Sequence, residues 1–147
     1  MKKLLLIIAL SLSVFANDII IRESSCGVTR TIKNISKILD DKGLTIFSIV
    51  NHHKNAASVD MKMGESKLII FGNPKLGTSL MKQDMTIGLD LPMKILVYRD
   101  KDSKVKMAFR DGTWMAKEHA LNIPKREKKM NGAMNKITDK AGTCIKD

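Results

Sequence analysis

Residues 67–100 read KLIIFGNPKLGTSLMKQDMTIGLDLPMKILVYRD, and this stretch decides the fold. Leu68-Ile-Ile-Phe71 and Met93-Lys-Ile-Leu-Val-Tyr98 are short, strongly apolar runs of the kind that form buried strands. Between them the chain is punctuated by Gly72, Pro74, Gly77, Gly88 and Pro92. That punctuation predicts an elaborated, ordered connection rather than a tight hairpin. Thr78 has the chemistry to cap a short helix inside this connection, running through Gln83.

Upstream, Leu44–Val50 is β-branched and aromatic and reads as a strand, closed by Asn51-His52-His53-Lys54. The small-residue segment Asn55–Met63 carries at most a helical turn before Gly64. Further back, Val28, Ile32, Ile35 and Leu39 recur at three- and four-residue spacing, which predicts an amphipathic helix of about 14 residues. Ser25 or Thr29 is the expected cap and Gly43 the stop. Before the helix, Asp18–Glu23 is a short apolar run suited to a first strand.

Downstream, Asp100–Ser103 forms a polar turn. Lys104–Arg110 alternates polar and apolar as an edge-facing fifth strand should, in a hairpin with the fourth. Asp111–Ala120 carries a short helical segment, interrupted at Leu121–Pro124. A terminal helix then spans Lys125–Lys140, with Met130, Met134, Ile137 and Ala141 on one side and Gly142 as its stop. The resulting fold class is α+β: a single two-layer domain in β-α-β-β-β-β-α order, an antiparallel-rich sheet with its helices on one face.

Residues 1–16 stand apart from the fold. Lys2 and Lys3 precede an apolar run from Leu4 to Leu12, and Val14-Phe15-Ala16 places small residues at −3 and −1. That pattern predicts a signal peptide, with cleavage expected after Ala16 and delivery to the periplasm or outside, an uncleaved N-terminal anchor being the alternative. The mature chain, 17–147, is sized for one domain and carries no second segment able to span a bilayer. Without Lys2 and Lys3 it retains 24 basic against 15 acidic residues, a net charge of +9. Such an excess attracts anions and also keeps a small exported protein soluble.

Two cysteines lie near the ends of the mature domain, Cys26 and Cys144. In an exported chain an even count points to a disulfide, with a metal-binding thiol pair as the alternative. If the two long helices run antiparallel, the start of the first meets the end of the second, and the cysteines meet with them. No CxxC spacing is present, which argues against thiol redox catalysis or a structural zinc site.

His53 with Ala56 and Ala57, Leu68-Ile-Ile-Phe-Gly-Asn-Pro74, Gly77-Thr78, Leu80-Met81, Gly88-Leu-Asp-Leu-Pro92 and Lys94-Ile-Leu-Val-Tyr98 together resemble the domain of unknown function 302 family, over roughly Ile20 to Leu121. The resemblance implies a TBP-like α+β architecture, a homodimer as a possible assembly, and no established reaction. It also implies a surface built from the end of the second strand and the long connection. The signal peptide, the cysteine pair, His52 and the long basic terminal helix depart from the family pattern.

The polar candidates follow from these positions. His53, with Asp90 and the loop residues Gly72, Asn73, Gly77 and Thr78, outlines a small-ligand site, and backbone N–H groups near Gly77–Ser79 suit a small anion. The GxxxxGK[ST] spacing of a P-loop is absent. His52, His53, Met61 and Met63 offer the imidazole and thioether donors that copper or another soft metal takes; core filling is the alternative use of the methionines. His53 serves equally as a loop anchor. The rival readings are a small enzyme using His53 as base with Asp90, and an interaction protein with no ligand. Asp84, Asp90, Asp100, Asp102 and Glu118 show no spacing that would mark a catalytic carboxylate pair. The run Lys125-Arg-Glu-Lys-Lys129 lacks interleaved aromatics, which argues against nucleic-acid binding.

Overall fold

The computed structural model describes residues 18–144, so the signal peptide expected over 1–16 lies outside the described residues. Five strands, β1 (Ile20–Ser24), β2 (Thr45–Asn51), β3 (Ser66–Gly72), β4 (Met93–Arg99) and β5 (Val105–Phe109), form one sheet in the order β1-β5-β4-β3-β2. Every neighbouring pair is antiparallel. Helices α1 (Val28–Asp41) and α5 (Pro124–Ala141) are the long ones; α2 (His52–Ala57), α3 (Pro74–Met81) and α4 (Gly112–Glu118) are short. A 3-10 segment over Met85–Leu89 completes the connection between β3 and β4.

Both long helices bury one stripe against the same face of the sheet, as the sequence predicts. Val28, Ile32, Ile35 and Leu39 of α1 and Met134, Ile137 and Ala141 of α5 meet Ile69, Phe71, Ile95, Val97, Val105, Met107 and Phe109. Burying each of these side chains except Ala141 stabilises by about 1.5–3 kcal/mol, which makes this cluster the main driving force for folding. The alternation seen in β5 has a different cause from the one expected. β5 lies between β1 and β4, and the edges are β1 and β2. Its period of two arises because α1 and α5 cover only one face.

The caps also differ. Gly27 is the N-cap of α1 and no side chain caps it. Thr29 Oγ1 instead accepts from Lys67 Nζ at 2.8 Å, and Ser25 bonds to the C-terminal segment of the chain. Ser25 N donates to the Gly142 carbonyl at 2.8 Å, and Cys144 N donates to Ser25 Oγ at 2.8 Å. At the C-terminal end of α1, Gly43 takes φ 62°, the left-handed turn that glycine makes at least cost.

Those contacts close the domain where the cysteines meet. Cys26 and Cys144 form a disulfide with a Cα–Cα distance of 5.3 Å. Gly142 sits so close to the sheet that a Cβ there would stand 2.8 Å from Met107 Cε and 3.0 Å from the Glu23 carbonyl. A second, smaller cluster forms beyond the sheet's end, where Leu80, Ile87, Met115, Ala116, Ile123 and Met130 pack with Leu76, Leu91 and Met93. Met93 touches both clusters and so couples the β3–β4 connection to the main core. No helix among the described residues is long and apolar enough to cross a membrane.

Candidate functional site

The connection that reads as a loop in sequence is largely helical, and its helices build a cavity. Asn73 caps α3, its Oδ1 accepting from Leu76 N at 3.1 Å, and Pro74 occupies the first turn where a missing N–H costs nothing. Across from α3 stands Phe47. The β2–β3 register shifts between Ile46 and Ser48, so Phe47 is the bulged residue, and its side chain reaches the glycine that ends β3. A Cβ built on Gly72 would lie 3.8 Å from Phe47 Cε2 and 3.6 Å from Pro92 Cβ. Phe47, Leu76, Met81, Leu91, Pro92, Met93 and Met130 enclose a cavity of about 290 Å³ with Gly72, Asn73, Gly77 and Thr78. Leu91–Pro92 is a cis peptide bond in its wall.

Four of the expected ligand residues, Gly72, Asn73, Gly77 and Thr78, thus converge on one space. They do so differently from the anion cradle anticipated near Thr78. The helix begins at Pro74, and Gly77 N already donates to the Asn73 carbonyl at 2.9 Å. With that N–H spent inside α3, the space is walled by apolar side chains, and Asn73 and Thr78 supply its polar groups. A neighbouring cavity of about 400 Å³ shares Gly72, Asn73, Leu76, Met93 and Met130 and adds Lys42 and Lys129.

His53 and Asp90 stand outside this enclosure, each with a different partner. Asn51 caps α2 by accepting from Lys54 N at 3.0 Å, so His52 and His53 open a helix instead of ending a strand. His53 Nδ1 lies 2.8 Å from the Met63 carbonyl, which fixes the proton on Nδ1 and pins the loop before β3. Met61 and Met63 are 67% and 46% exposed, so neither fills the core. His53 and the Met63 backbone are therefore brought together by a carbonyl hydrogen bond. Among the described residues no cluster of three or more His, Cys, Asp or Glu side chains is arranged to hold a metal ion.

Asp90 pairs with His119, a residue that sequence reading does not single out. His119 Nε2 lies 2.7 Å from Asp90 Oδ2 and its Nδ1 lies 3.1 Å from Asp84 Oδ2. Asp84 also caps the 3-10 segment, its Oδ1 accepting from Thr86 N at 2.9 Å and from Thr86 Oγ1 at 2.7 Å. A ring with a carboxylate oxygen at each nitrogen satisfies both only as the imidazolium. Accordingly the His119 pKa is raised above the ordinary histidine value, chiefly by the Asp90 hydrogen bond; burial opposes this, and the Asp84 hydrogen bond adds to it. Asp84 is lowered, first by its Thr86 hydrogen bonds. With both nitrogens engaged, His119 is a clamp between α4 and the β3–β4 connection and has no free position from which to act as a base. The residues lie 35 and 29 positions from His119, beyond the reach of any local motif.

Comparison with known proteins places this architecture among relatives. A family model described as "Domain of unknown function DUF302" matches residues 20–137. The chain is 34% identical over 111 residues to the fluoride-specific ion channel FluC 1 of Brucella suis biovar 1, covering 76% of this chain and 44% of that protein. It is likewise 34% identical over 111 residues to FluC 1 of Brucella abortus biovar 1, covering 76% of this chain and 41% of that one. The chain therefore spans less than half the length of these relatives. A crystal structure of an uncharacterised conserved DUF302 protein from Bacillus stearothermophilus superposes with a TM-score of 0.68 at 16% identity, covering 86% of this chain and 97% of that one. At that identity the likeness is one of fold.

Proposed function

This chain belongs to the DUF302 family, and from that premise we propose that it is an exported small-molecule-binding protein whose ligand occupies the cavity between Phe47 and the β3–β4 connection. One observation carries the reading: residues from the bulge of β2, the end of β3, α3, the Leu91–Met93 turn and α5 all converge on that space of about 290 Å³. An enclosure of apolar walls with a few polar groups is the usual form of a ligand site. The ligand class it suits is a small apolar body bearing one hydrogen-bonding group. Asn73 Oδ1 is committed to its cap, which leaves Asn73 Nδ2 and the Thr78 hydroxyl to meet that group.

Export after Ala16 is part of the proposal, supported by the sequence of residues 1–16 and by the disulfide. Self-pairing is proposed from the family resemblance and from Ile21 and Ile49, 46% and 44% exposed on the two edge strands. The channel activity in the Brucella relatives' names is not carried over, because it belongs to proteins of which this chain spans less than half. The test is an amide-resolved NMR titration with 1-hexanol. Saturable shifts at Gly72, Leu76, Gly77 and Thr78, with His53 and its loop unmoved, support the site. Uniform small shifts over the surface, or saturation centred on α2, refute it.

A further inference from the structure

A separate cavity of about 270 Å³ lies on the sheet face turned away from α1 and α5. Cross-strand register sets Leu68 beside Leu96 and Leu96 beside Ala108, and these three form an apolar floor. Asp90, Lys94, Arg110 and Trp114 stand around it. We propose that this cavity binds a small organic anion with an apolar or aromatic body, the carboxylate meeting Lys94 and Arg110.

The charge arrangement carries the argument. Lys94 Nζ donates to the Asp90 and Pro92 carbonyls at 2.9 Å each, so the ammonium is anchored and keeps one N–H to give. Burial pushes its pKa down, with the Asp90 charge opposing, so this cation gains from a further anion beside it. The Arg110 guanidinium lies over the Trp114 ring, 4.3 Å from the centroid. That stack orients the planar fork while leaving its N–H edge without a carboxylate partner among the described residues. The single carboxylate in the lining, Asp90, is already matched by His119 at 2.7 Å. Two cations thus face a lining with one carboxylate, which His119 already engages, above a floor that rejects a fully hydrated ion. A forked guanidinium takes a carboxylate in bidentate fashion, and the Leu68–Leu96–Ala108 floor takes the body.

Trp114 is the only tryptophan in the chain and reports on this wall. Sodium benzoate, benzyl alcohol and inorganic phosphate are titrated by calorimetry, with Trp114 emission followed in parallel. Benzoate is expected to bind saturably and perturb the emission, with the other two at least about tenfold weaker. Arg110→Gln, at an exposed position, is expected to weaken benzoate by about the same factor while melting like the wild type. Benzyl alcohol as tight as benzoate, phosphate as tight as benzoate, an unchanged Arg110→Gln, or no heat with benzoate would each overturn the proposal. Gly77→Leu, which projects into the first cavity, separates the two sites. It should leave benzoate binding intact, and loss of benzoate binding in that variant would assign the ligand to the first cavity and refute this one.

Discussion

Replacing both cysteines with alanine, Cys26→Ala with Cys144→Ala, should cost this domain about 5 kcal/mol. The estimate follows from the 118-residue separation of the pair. In the chain-entropy account a cross-link of that span removes about 16 cal/mol/K from the unfolded chain, or about 5 kcal/mol at 25 °C. The native end-closure should survive, because Ser25 N still donates to Gly142 O at 2.8 Å and Asn34 Nδ2 to Ala141 O at 3.1 Å. The loss therefore falls mainly on the unfolded state, and two signatures follow. The urea midpoint drops, and the slope m rises, because the released chain exposes more surface. A domain of this size would lose about 15–20 °C in Tm, and from a usual total of about 5–15 kcal/mol the variant would keep about 0–10 kcal/mol. The assay is urea unfolding of the oxidised protein, the reduced protein and the double variant, followed by far-ultraviolet circular dichroism. A loss under about 1 kcal/mol with unchanged m would refute the reasoning.

Three further outcomes are expected. Gly112→Ala should destabilise by about 1–3 kcal/mol, because the new Cβ would stand 2.9 Å from Asn131 Oδ1 and 3.1 Å from the Glu127 carbonyl; a more stable variant, as helix propensity alone would give, contradicts the close packing of α4 on α5. His119→Gln should cost most below about pH 6.5, since a folded-state pKa raised above 6.5 contributes stability that is complete below the unfolded value and lost as pH rises through the folded one. Thermal melts of wild type and variant should therefore converge as pH rises above 6.5 and through the raised folded-state pKa, and a gap that widens with pH would sink the clamp. Intact mass of protein recovered from its own compartment should correspond to a chain starting at Asn17, whereas a retained Met1–Ala16 contradicts export by cleavage.

Much of the fold is legible in sequence because its main core is built from local periodicity. The spacing of Val28, Ile32, Ile35 and Leu39 and the runs at 68–71 and 93–98 state their elements and their buried faces directly. The cysteine pair adds a long-range constraint that sets the two helices antiparallel. Strand order is a weaker signal: the alternation of β5 reports one-sided burial, which edge and interior strands share when helices cover one face. The β3–β4 connection reads as a loop because Gly72, Pro74, Gly77 and Gly88 are breakers by propensity. Yet Asn73 with Pro74 is a good helix start, and Leu76, Leu80 and Ile87 bury against Met115 and Met130 to hold it helical.

At the candidate site, Gly72, Asn73, Gly77 and Thr78 were findable because they are close in sequence. Phe47 was not, since the bulge that turns it toward Gly72 is a property of register rather than of residue type. The His119 clamp was hidden for the same kind of reason. A lone histidine and two separated aspartates acquire meaning only when α4 returns beside the connection.

The most direct measurement is a crystal structure of the protein purified from its own compartment. The account predicts ordered density for a small molecule enclosed by Phe47, Leu76, Leu91 and Met93, with a polar end at Asn73 or Thr78. Phe47 folded into an empty, collapsed space, or a bound molecule held instead by His53 and the Met61–Met63 loop, would contradict it.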